Sequence, residues 1–488
     1  MKRPSFLSSL FKPFSKARRP SNRLAAGILR STEPAARAHD HISKDGFDIP
    51  TALIVSEAER SRLRSWCKKE YLDNPYARNA ARNFSLGVYG NGPALQINTP
   101  DEELNNKIEA LFSRWRKAVN LDWKLHIALE SLFYDGEAFI AFFNHPTIPG
   151  GLDIELIEAR RIRDPYTAGS NPDRLEGITY NIFNDPVSYS VAKEPVNPIY
   201  GLSTDFVELP ADLMVHFFLD DVVNQKRGLP LLQSVLETLS SLQRIGRASL
   251  NAWELAAKMN LVVKTPLEAF EYFQAVPEGY VNGEDNRITA FKTIPIPEDG
   301  GMTFLAQGME ATQVKSEHPT SAFHDNKMTY LSEIGAGVGE PRNVVTADSS
   351  SYNFSSAQLD YMMFYRWSGA CQTKLRSVLQ RMLAAAVASA AEAGNTDAKA
   401  ILEQYDPNDL PADWYFPQIL EQVDRIQNAS AEVQLLQSGL MTQKEYCKRH
   451  GIDYTKHLEQ LKYEKSLLQT VGSGDASGES SGDETPEG

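Results

Sequence analysis

Cysteine is scarce in this sequence, and the few cysteines lie far apart. The 488 residues include Cys67, Cys371 and Cys447 and no Cys-x-x-Cys pair. An odd number of distant thiols argues against a disulfide framework and is typical of a protein kept in a reducing compartment. No two of the nine histidines have the spacing of a zinc site, so we expect no bound metal.

Phosphate-binding and catalytic motifs are also missing. No Gly-Lys dipeptide occurs, which excludes the phosphate-binding loop of ATPases. The glycines of Gly335–Gly339 follow a predicted helix rather than a strand, and this order indicates a helix end and a hinge. Gly478–Gly482 matches the nucleophile-elbow pattern only formally, because it lies in a low-complexity tail. We therefore expect no cofactor and no enzymatic activity.

Long apolar runs are absent. No run approaches the roughly 18 residues that a membrane-spanning helix needs. The basic N-terminus lacks the apolar region of a signal peptide, because Phe6–Phe14 is interrupted by serines, a lysine and a proline. The sequence predicts a protein that is made in the cytoplasm and has no membrane partner.

Positive charge is in deficit, with a net charge of −13. Proteins that grip DNA are usually basic on the binding face, so this balance argues against tight DNA binding. The net charge is still compatible with a surface along which DNA passes.

Residues 1–30 contain eight basic residues and no acid, whereas residues 475–488 contain five acids and no base. Both ends are expected to be solvated arms.

The first half of the chain has the pattern of an α+β fold. Helical spacing covers 56–83 and 101–134, and Asn91-Gly92 favours a hairpin turn between two strands within 84–97. Alternating and turn-bounded segments then predict mostly strands from 137 to 217.

Two polar features of this half are explained better by structural roles than by catalysis. Asp135-Gly136-Glu137 fits a turn between a helix and a strand better than a catalytic carboxylate pair. His216 lies in an apolar strand and fits a buried, hydrogen-bonded histidine better than a general base.

Longer helices are predicted after Gly228. An apolar stripe over 231–258 predicts a helix about 42 Å long at 1.5 Å per residue. Short β-like pieces follow over 262–314, and helical spacing returns at 320–335. The longest predicted helix runs from 355 to about 392, far above the usual length.

Capping residues mark where two helices begin. Ser355-Ser356-Ala357-Gln358 reads as a capping box, with Ser355 and Ser356 as caps of the long helix. Ser368-Gly369 in its middle favours a kink. Thr442, three residues before Glu445, caps a shorter helix, and a final amphipathic helix covers about 454–469.

Several stretches, in chain order, resemble the lambda-type family of tailed-bacteriophage portal proteins. The most specific are Gly339-Glu-Pro-Arg-Asn343 and Thr346–Ala357. Asn74–Gly92, Leu156–Ile162, and His216 followed by Gln225-Lys-Arg-Gly-Leu-Pro-Leu231 are similar to other segments of that family. The likeness covers most of residues 70–370.

The resemblance implies an elongated α+β protomer with an α/β wing, a helical stem hairpin, a small β-rich clip and a helical crown. Its regions are expected as follows: basic flexible arm 1–45, wing 46–225, stem helix 226–261, clip 262–316, second stem helix 317–339, tunnel loop 340–355, long kinked helix 356–395, crown 396–470 and disordered acidic tail 471–488.

The resemblance also implies a function and its partners. Portal proteins form a ring, usually of twelve copies, at one vertex of the capsid, and double-stranded DNA is packaged and ejected through it. The expected partners are other copies of the chain, the terminase large subunit, the major capsid protein and head-completion or adaptor proteins. The expected location is the virion, after assembly in the host cytoplasm.

The tunnel loop supplies the candidate channel-lining residues. They are Asn343, Val344, Val345, Thr346, Asp348, Ser349, Ser350 and Ser351. Small hydroxyl groups and one acid would give a wall that interacts weakly with a sliding duplex, since cationic contacts to phosphates hold a protein in register. On physical grounds alone, an ordinary serine-rich loop is an equally good reading.

Two other function classes remain as alternatives. A minor head or adaptor protein would also be a structural virion component, although such proteins are usually shorter. An enzyme acting on nucleic acid is the weakest candidate, because the sequence offers neither a carboxylate cluster for metal nor a nucleotide loop.

Overall fold

The computed structural model describes residues 57–148, 150–165, 173–193, 205–258, 262–264, 310–312, 321–350, 353–416, 425–450, 452 and 454–474. The predicted arm at 1–45, most of the predicted clip, Ser351 and most of the acidic tail lie outside these residues. The chain divides into two compact units: one contains the residues up to Leu239 and those from Leu331 onward, and the other is Ser240–Tyr330.

The N-terminal part of the larger unit is helical with one short strand. Its elements are α1 (Glu57–Asp73), α2 (Pro75–Tyr89), β1 (Ala94–Ile97), α3 (Glu102–Ala118) and α4 (Leu121–Tyr134). Asn74 caps α2 by accepting a hydrogen bond from the Tyr76 amide, and Pro75 occupies the first turn, where a missing N–H costs nothing.

Two antiparallel sheets follow. Their strands are β2 (Glu137–Asn144), β3 (Leu152–Ile157), β4 (Arg174–Leu175), β5 (Ile178–Tyr180), β6 (Pro186–Ala192), β7 (Phe206–Pro210) and β8 (Met214–Phe218). The strand orders are β3-β2-β8 and β4-β5-β6-β7. One cluster of buried side chains, including Phe139, Ile157, Tyr189 and Met214, packs the two sheets together.

The C-terminal half of the chain is built on one long helix. After a short turn at Leu231–Val235, α5 (Leu236–Lys258) begins. The other elements are α6 (Ser321–Val338), α7 (Arg342–Thr346), α8 (Phe354–Glu392), α9 (Thr396–Gln404), β11 (Ala412–Tyr415), α10 (Arg425–Gln437), α11 (Gln443–Arg449) and α12 (Tyr454–Gly474). Between α5 and α6 lie β9 (Val262–Lys264) and β10 (Glu310–Thr312). The 39-residue α8 continues without interruption through Ser368 and Gly369.

The smaller unit contains the greater part of α5, the first half of α6, and strands β9 and β10. β9 pairs with β10 in antiparallel register, with Val263 opposite Ala311. Trp253 of α5 and Phe323 of α6 meet with ring centroids 5.9 Å apart.

The mixed helix and sheet of both units confirms the predicted α+β class, while the division into stem, clip and wing stays a prediction.

The predicted hairpin within 84–97 is wrong. Residues up to Tyr89 are helical, and the only strand, β1, pairs with the distant β11, with Leu95 opposite Trp414. Burial explains the difference, because Ala80, Ala81 and Phe84 are fully enclosed on one face of α2. Tertiary packing of a helix face outweighs the local preference of Asn91-Gly92 for a hairpin.

The helical structure predicted over 101–134 is confirmed, but it is divided into α3 and α4. The two helices are separated at Asn120, whose backbone is left-handed with φ of 53°. Asparagine is one of the few residues with a side chain that tolerate this conformation, and it lets the chain reverse.

Candidate functional site

The predicted channel segment is partly buried within its own protomer. Pro341 precedes α7, and the side chains of Asn343 and Val345 in that helix are buried. Both residues were predicted to line a channel, and for both the prediction is wrong, because they face the interior. Val344 and Thr346 are half-buried.

The exposed part of the segment is the turn after α7. Ala347 has a left-handed backbone with φ of 54°, and Asp348, Ser349 and Ser350 are exposed. The Asp348 carboxylate accepts a hydrogen bond from the Ser350 amide at 2.9 Å. These three of the predicted channel residues can contact a ligand outside the protomer, and their exposed groups are hydroxyls and one carboxylate.

Two asparagines on α2 hold α7 in place. Asn79 Nδ2 donates to the carbonyls of Val344 and Val345 at 2.7 and 3.0 Å, and Asn83 Nδ2 donates to Val344 O at 3.1 Å. These bonds satisfy carbonyls that a helix end leaves without intrahelical partners. The sequence analysis missed this role, although two asparagines four residues apart on one helix face were a visible signal.

Glu340 is buried directly before α7. Its side chain is 4% exposed, and no described residue makes a hydrogen bond of normal geometry to either carboxylate oxygen. Burial raises the pKa of Glu340 well above its ordinary value, and the backbone of Phe84 offsets this only in part. The Glu340 amide donates to Gly335 O at 2.8 Å, so the turn between α6 and α7 is closely folded.

The structure corrects the predicted caps of α8. Asn353 is the N-cap, and its side chain accepts from the Ser356 amide at 2.8 Å. Ser355 and Ser356 lie inside the first turn, so neither is the N-cap. Asparagine matches serine as a cap, and the helix begins earlier than the sequence suggested. Thr442 Oγ1 accepts from the Glu445 amide at 3.1 Å, as the second capping box predicts.

A buried ion cluster holds the segment before α5 against β2. Arg227 Nη2 lies 2.6 Å from Glu137 Oε1, Arg64 forms a second ion pair with Glu137, and His216 Nε2 lies 2.9 Å from Glu137 Oε2. The Gly228 amide donates to the same carboxylate at 2.9 Å. Because a Cβ at Gly228 would collide with the Gly136 carbonyl, only glycine allows this approach.

The cluster is electrostatically satisfied. Burial by itself raises the pKa of Glu137, but Arg227, Arg64 and the hydrogen bond with His216 outweigh burial and hold that pKa well below its ordinary value. Burial lowers the pKa of His216 despite the nearby carboxylate. The prediction of a buried, hydrogen-bonded His216 is therefore confirmed. The role of the cluster is structural, because it joins the segment before α5 to β2.

No group of three or more His, Cys, Asp or Glu side chains in the described part of the chain could hold a metal ion. None of the helices described is long and apolar enough to cross a membrane.

Comparison with solved structures gives distant likenesses. A chain from "Virion of native gene transfer agent (GTA) particle" is 13% identical, with a TM-score of 0.48, covering 80% of this chain and 93% of that chain. A chain from "Neck of native GTA particle computed with C12 symmetry" is 13% identical, with a TM-score of 0.47, covering 82% and 95%. Comparison with curated proteins gave no match.

Comparison with protein families gives a match over most of the chain. The model of the family described as phage portal protein, lambda family, matches residues 50–402. This range includes the anchored turn after α7, the cluster around Glu137 and all of α8. Because the match spans well over half of its residues, this chain belongs to the lambda family of phage portal proteins.

Proposed function

We propose that copies of this chain form a closed ring at one vertex of a phage capsid, and that double-stranded DNA is packaged and ejected through its centre. Membership of the portal family, matched over residues 50–402, carries the proposal. It favours a portal ring over a minor head or adaptor protein. The ring acts as a conduit and not as an enzyme, so an external motor must supply the energy.

The exposed turn supports a channel that does not grip DNA. Asp348, Ser349 and Ser350 offer hydroxyls and a negative charge, and no cation, to whatever passes the turn. Cationic contacts to phosphates build affinity and fix register. A wall without them suits a duplex that must slide.

The proposed partners are those of a packaging vertex. They are the terminase large subunit, the major capsid protein and the head-completion or adaptor proteins, with the virion as the final location. Of the predicted channel residues that are not buried, Asp348, Ser349 and Ser350 are exposed and Val344 and Thr346 are half-buried, and all five stay candidates. Ser351, next in the chain, lies outside the described residues.

Measurements of oligomeric state and of DNA packaging with this protein test the proposal directly. Native mass spectrometry and negative-stain images of the purified protein should give a closed ring with a central opening wide enough for a duplex. Empty capsids built with the protein should protect DNA from nuclease when terminase and ATP are added, and capsids built without it should not. A chain that stays monomeric under all assembly conditions would contradict the proposal.

A further inference from the structure

The first turns of α8 present an apolar face to solvent. The side chains of Leu359, Met362 and Met363 are 62%, 44% and 71% exposed, and Tyr361 beside them is also exposed. Positions 359, 362 and 363 follow the i, i+3, i+4 spacing of one helix face. We call these three residues the α8 stripe. Contiguous apolar surface of this kind on a soluble protein marks a contact site.

The stripe cannot turn inward, because the opposite face of α8 is fixed against α2. Phe364 and Ser368 are buried there, and a Cβ on Gly87 would lie 2.5 Å from Phe364 Cζ. Gln372 Nε2 also donates to Val88 O at 3.1 Å. With this face committed to packing, the stripe can be covered only by another molecule or by another part of the chain.

A second apolar face lies on α2 and α4. Leu86, Trp123 and Ile127 are 52%, 62% and 39% exposed, and we call them the α2–α4 patch. The helices pack antiparallel, with Ser85 Oγ 2.7 Å from His126 Nδ1 and Tyr89 OH 2.5 Å from Asp122 Oδ1. In that arrangement Leu86, which follows Ser85, emerges on the same side of the helix pair as Trp123 and Ile127, which lie three residues before and one residue after His126.

The two faces are chemically complementary. Large exposed tryptophans are frequent anchors of protein interfaces, and methionine side chains adapt to aromatic surfaces. Arg82 is exposed one turn before Leu86 and gives the patch a positive edge, whereas the stripe has the half-buried Asp360 at one edge and the exposed Arg366 one turn beyond Met362. Faces made mainly of apolar side chains favour a protein occupant over duplex DNA, because duplex DNA is held chiefly by cations that contact its phosphates.

A ring requires two different surfaces on every copy, since each subunit contacts one neighbour on each side in a head-to-tail manner. We propose that the α8 stripe of one copy docks on the α2–α4 patch of the next copy. The inference rests on the proposed ring, and it names the surfaces that close that ring.

Three forms of the full chain test the pairing. The stripe variant carries Met362→Glu and Met363→Glu, and the patch variant carries Trp123→Glu and Ile127→Glu. Val223→Glu is the control, because Val223 is at least as exposed as each substituted residue but belongs to neither surface. Burying unpaired carboxylates should weaken association about a hundredfold or more. Each variant should therefore be monomeric by native mass spectrometry, while the wild type and the control form rings.

Mixing the two variants separates the pairing from a folding defect. Each variant keeps one intact surface, so an equimolar mixture should form dimers that cannot grow further. Dimers also show that both variants are folded. Rings from either variant alone, or only monomers in the mixture, would overturn the inference while leaving the proposed function intact. A wild type that forms no ring would overturn the proposed function together with the inference.

Discussion

Glu137 is a single carboxylate around which several parts of the larger unit meet. Arg64 comes from α1, Arg227 from the segment before α5, and His216 from β8. A buried ion of this kind is tolerable only because every neighbour bonds to it, and an isolated charge in the same place would be costly. The sequence analysis read Asp135-Gly136-Glu137 as a turn, which is correct for the backbone, with Gly136 at φ of 82°. It could not reveal that the glutamate collects partners from 73 to 91 residues away.

Glu340 is the opposite case, a buried carboxyl to which no described residue makes a hydrogen bond of normal geometry. Its pKa in the folded state lies above the ordinary value of 4.5, so the folded protein holds this proton more tightly than the unfolded chain. The stabilising contribution is fully present below about pH 4.5 and is lost as pH rises toward the folded-state pKa. We therefore expect Glu340→Gln to be increasingly more stable than the wild type as pH rises from 5 to 8, roughly the range in which protein stability is usually greatest.

Thermal unfolding of the two proteins over that pH series measures the effect, at equal protein concentration and in the same oligomeric state. Glu333→Gln is a suitable control, because Glu333 is an exposed glutamate on the preceding helix and should leave the pH profile unchanged. Parallel profiles for the wild type and Glu340→Gln would show that the carboxyl is solvated or paired in solution.

At the scale of elements, the start of α8 depends on one side chain. Because Asn353 accepts the Ser356 amide hydrogen bond, Asn353→Ala should destabilise the larger unit by about 1 kcal/mol. Ser355→Ala should have a smaller effect, since alanine is at least as favourable as serine within a helical turn. Urea unfolding of both variants compares the two positions. A larger loss of stability for Ser355→Ala than for Asn353→Ala would indicate that Ser355 is the N-cap, as the sequence suggested.

Element type followed from the sequence where one face of an element is apolar over many residues. The long helices α5 and α8 and the strands β2, β3, β6 and β8 were predicted in this way, within a few residues at each end. Strand β7 lies within the stretch predicted to be mostly strand, but its own alternation is weak, with only Phe206 and Leu209 partly covered. Helix α2 was misread because its Gly87 and Val88 look strand-like until α8 and α4 pack around them.

The candidate site was predictable only in outline. The polar composition of 343–351 located the segment, but composition cannot tell which residues turn inward. The burial of Asn343 and Val345 depends on α2, whose Asn79 and Asn83 lie more than 260 positions earlier in the chain. Long-range contacts of this kind leave no local pattern, so the exposed turn at Ala347–Ser350 emerges only from the folded chain.

At the scale of the whole molecule, the acidic balance bears on how a ring would treat DNA. Each copy has a net charge of −13, so a ring multiplies a field that repels phosphates rather than attracting them. Sliding then depends on the local chemistry of whichever side chains face the axis. Among the proposed channel residues, Asp348 should have the largest effect on the interaction with DNA, because its charge recurs once in every copy.

Asp348→Lys should convert a sliding surface into a gripping one. A ring of the variant presents one cation per copy to the duplex, and each phosphate neutralised steepens the dependence of log affinity on log salt by about 0.9. We expect short duplex DNA to bind the variant ring more tightly at low salt, with a steeper salt slope, and packaging to slow. Asp73→Lys, at an exposed position on α1, adds the same charge elsewhere and should leave the slope unchanged. Equal slopes for both variants would mean that Asp348 does not face DNA, and the channel wall would have to be sought in another segment of the ring.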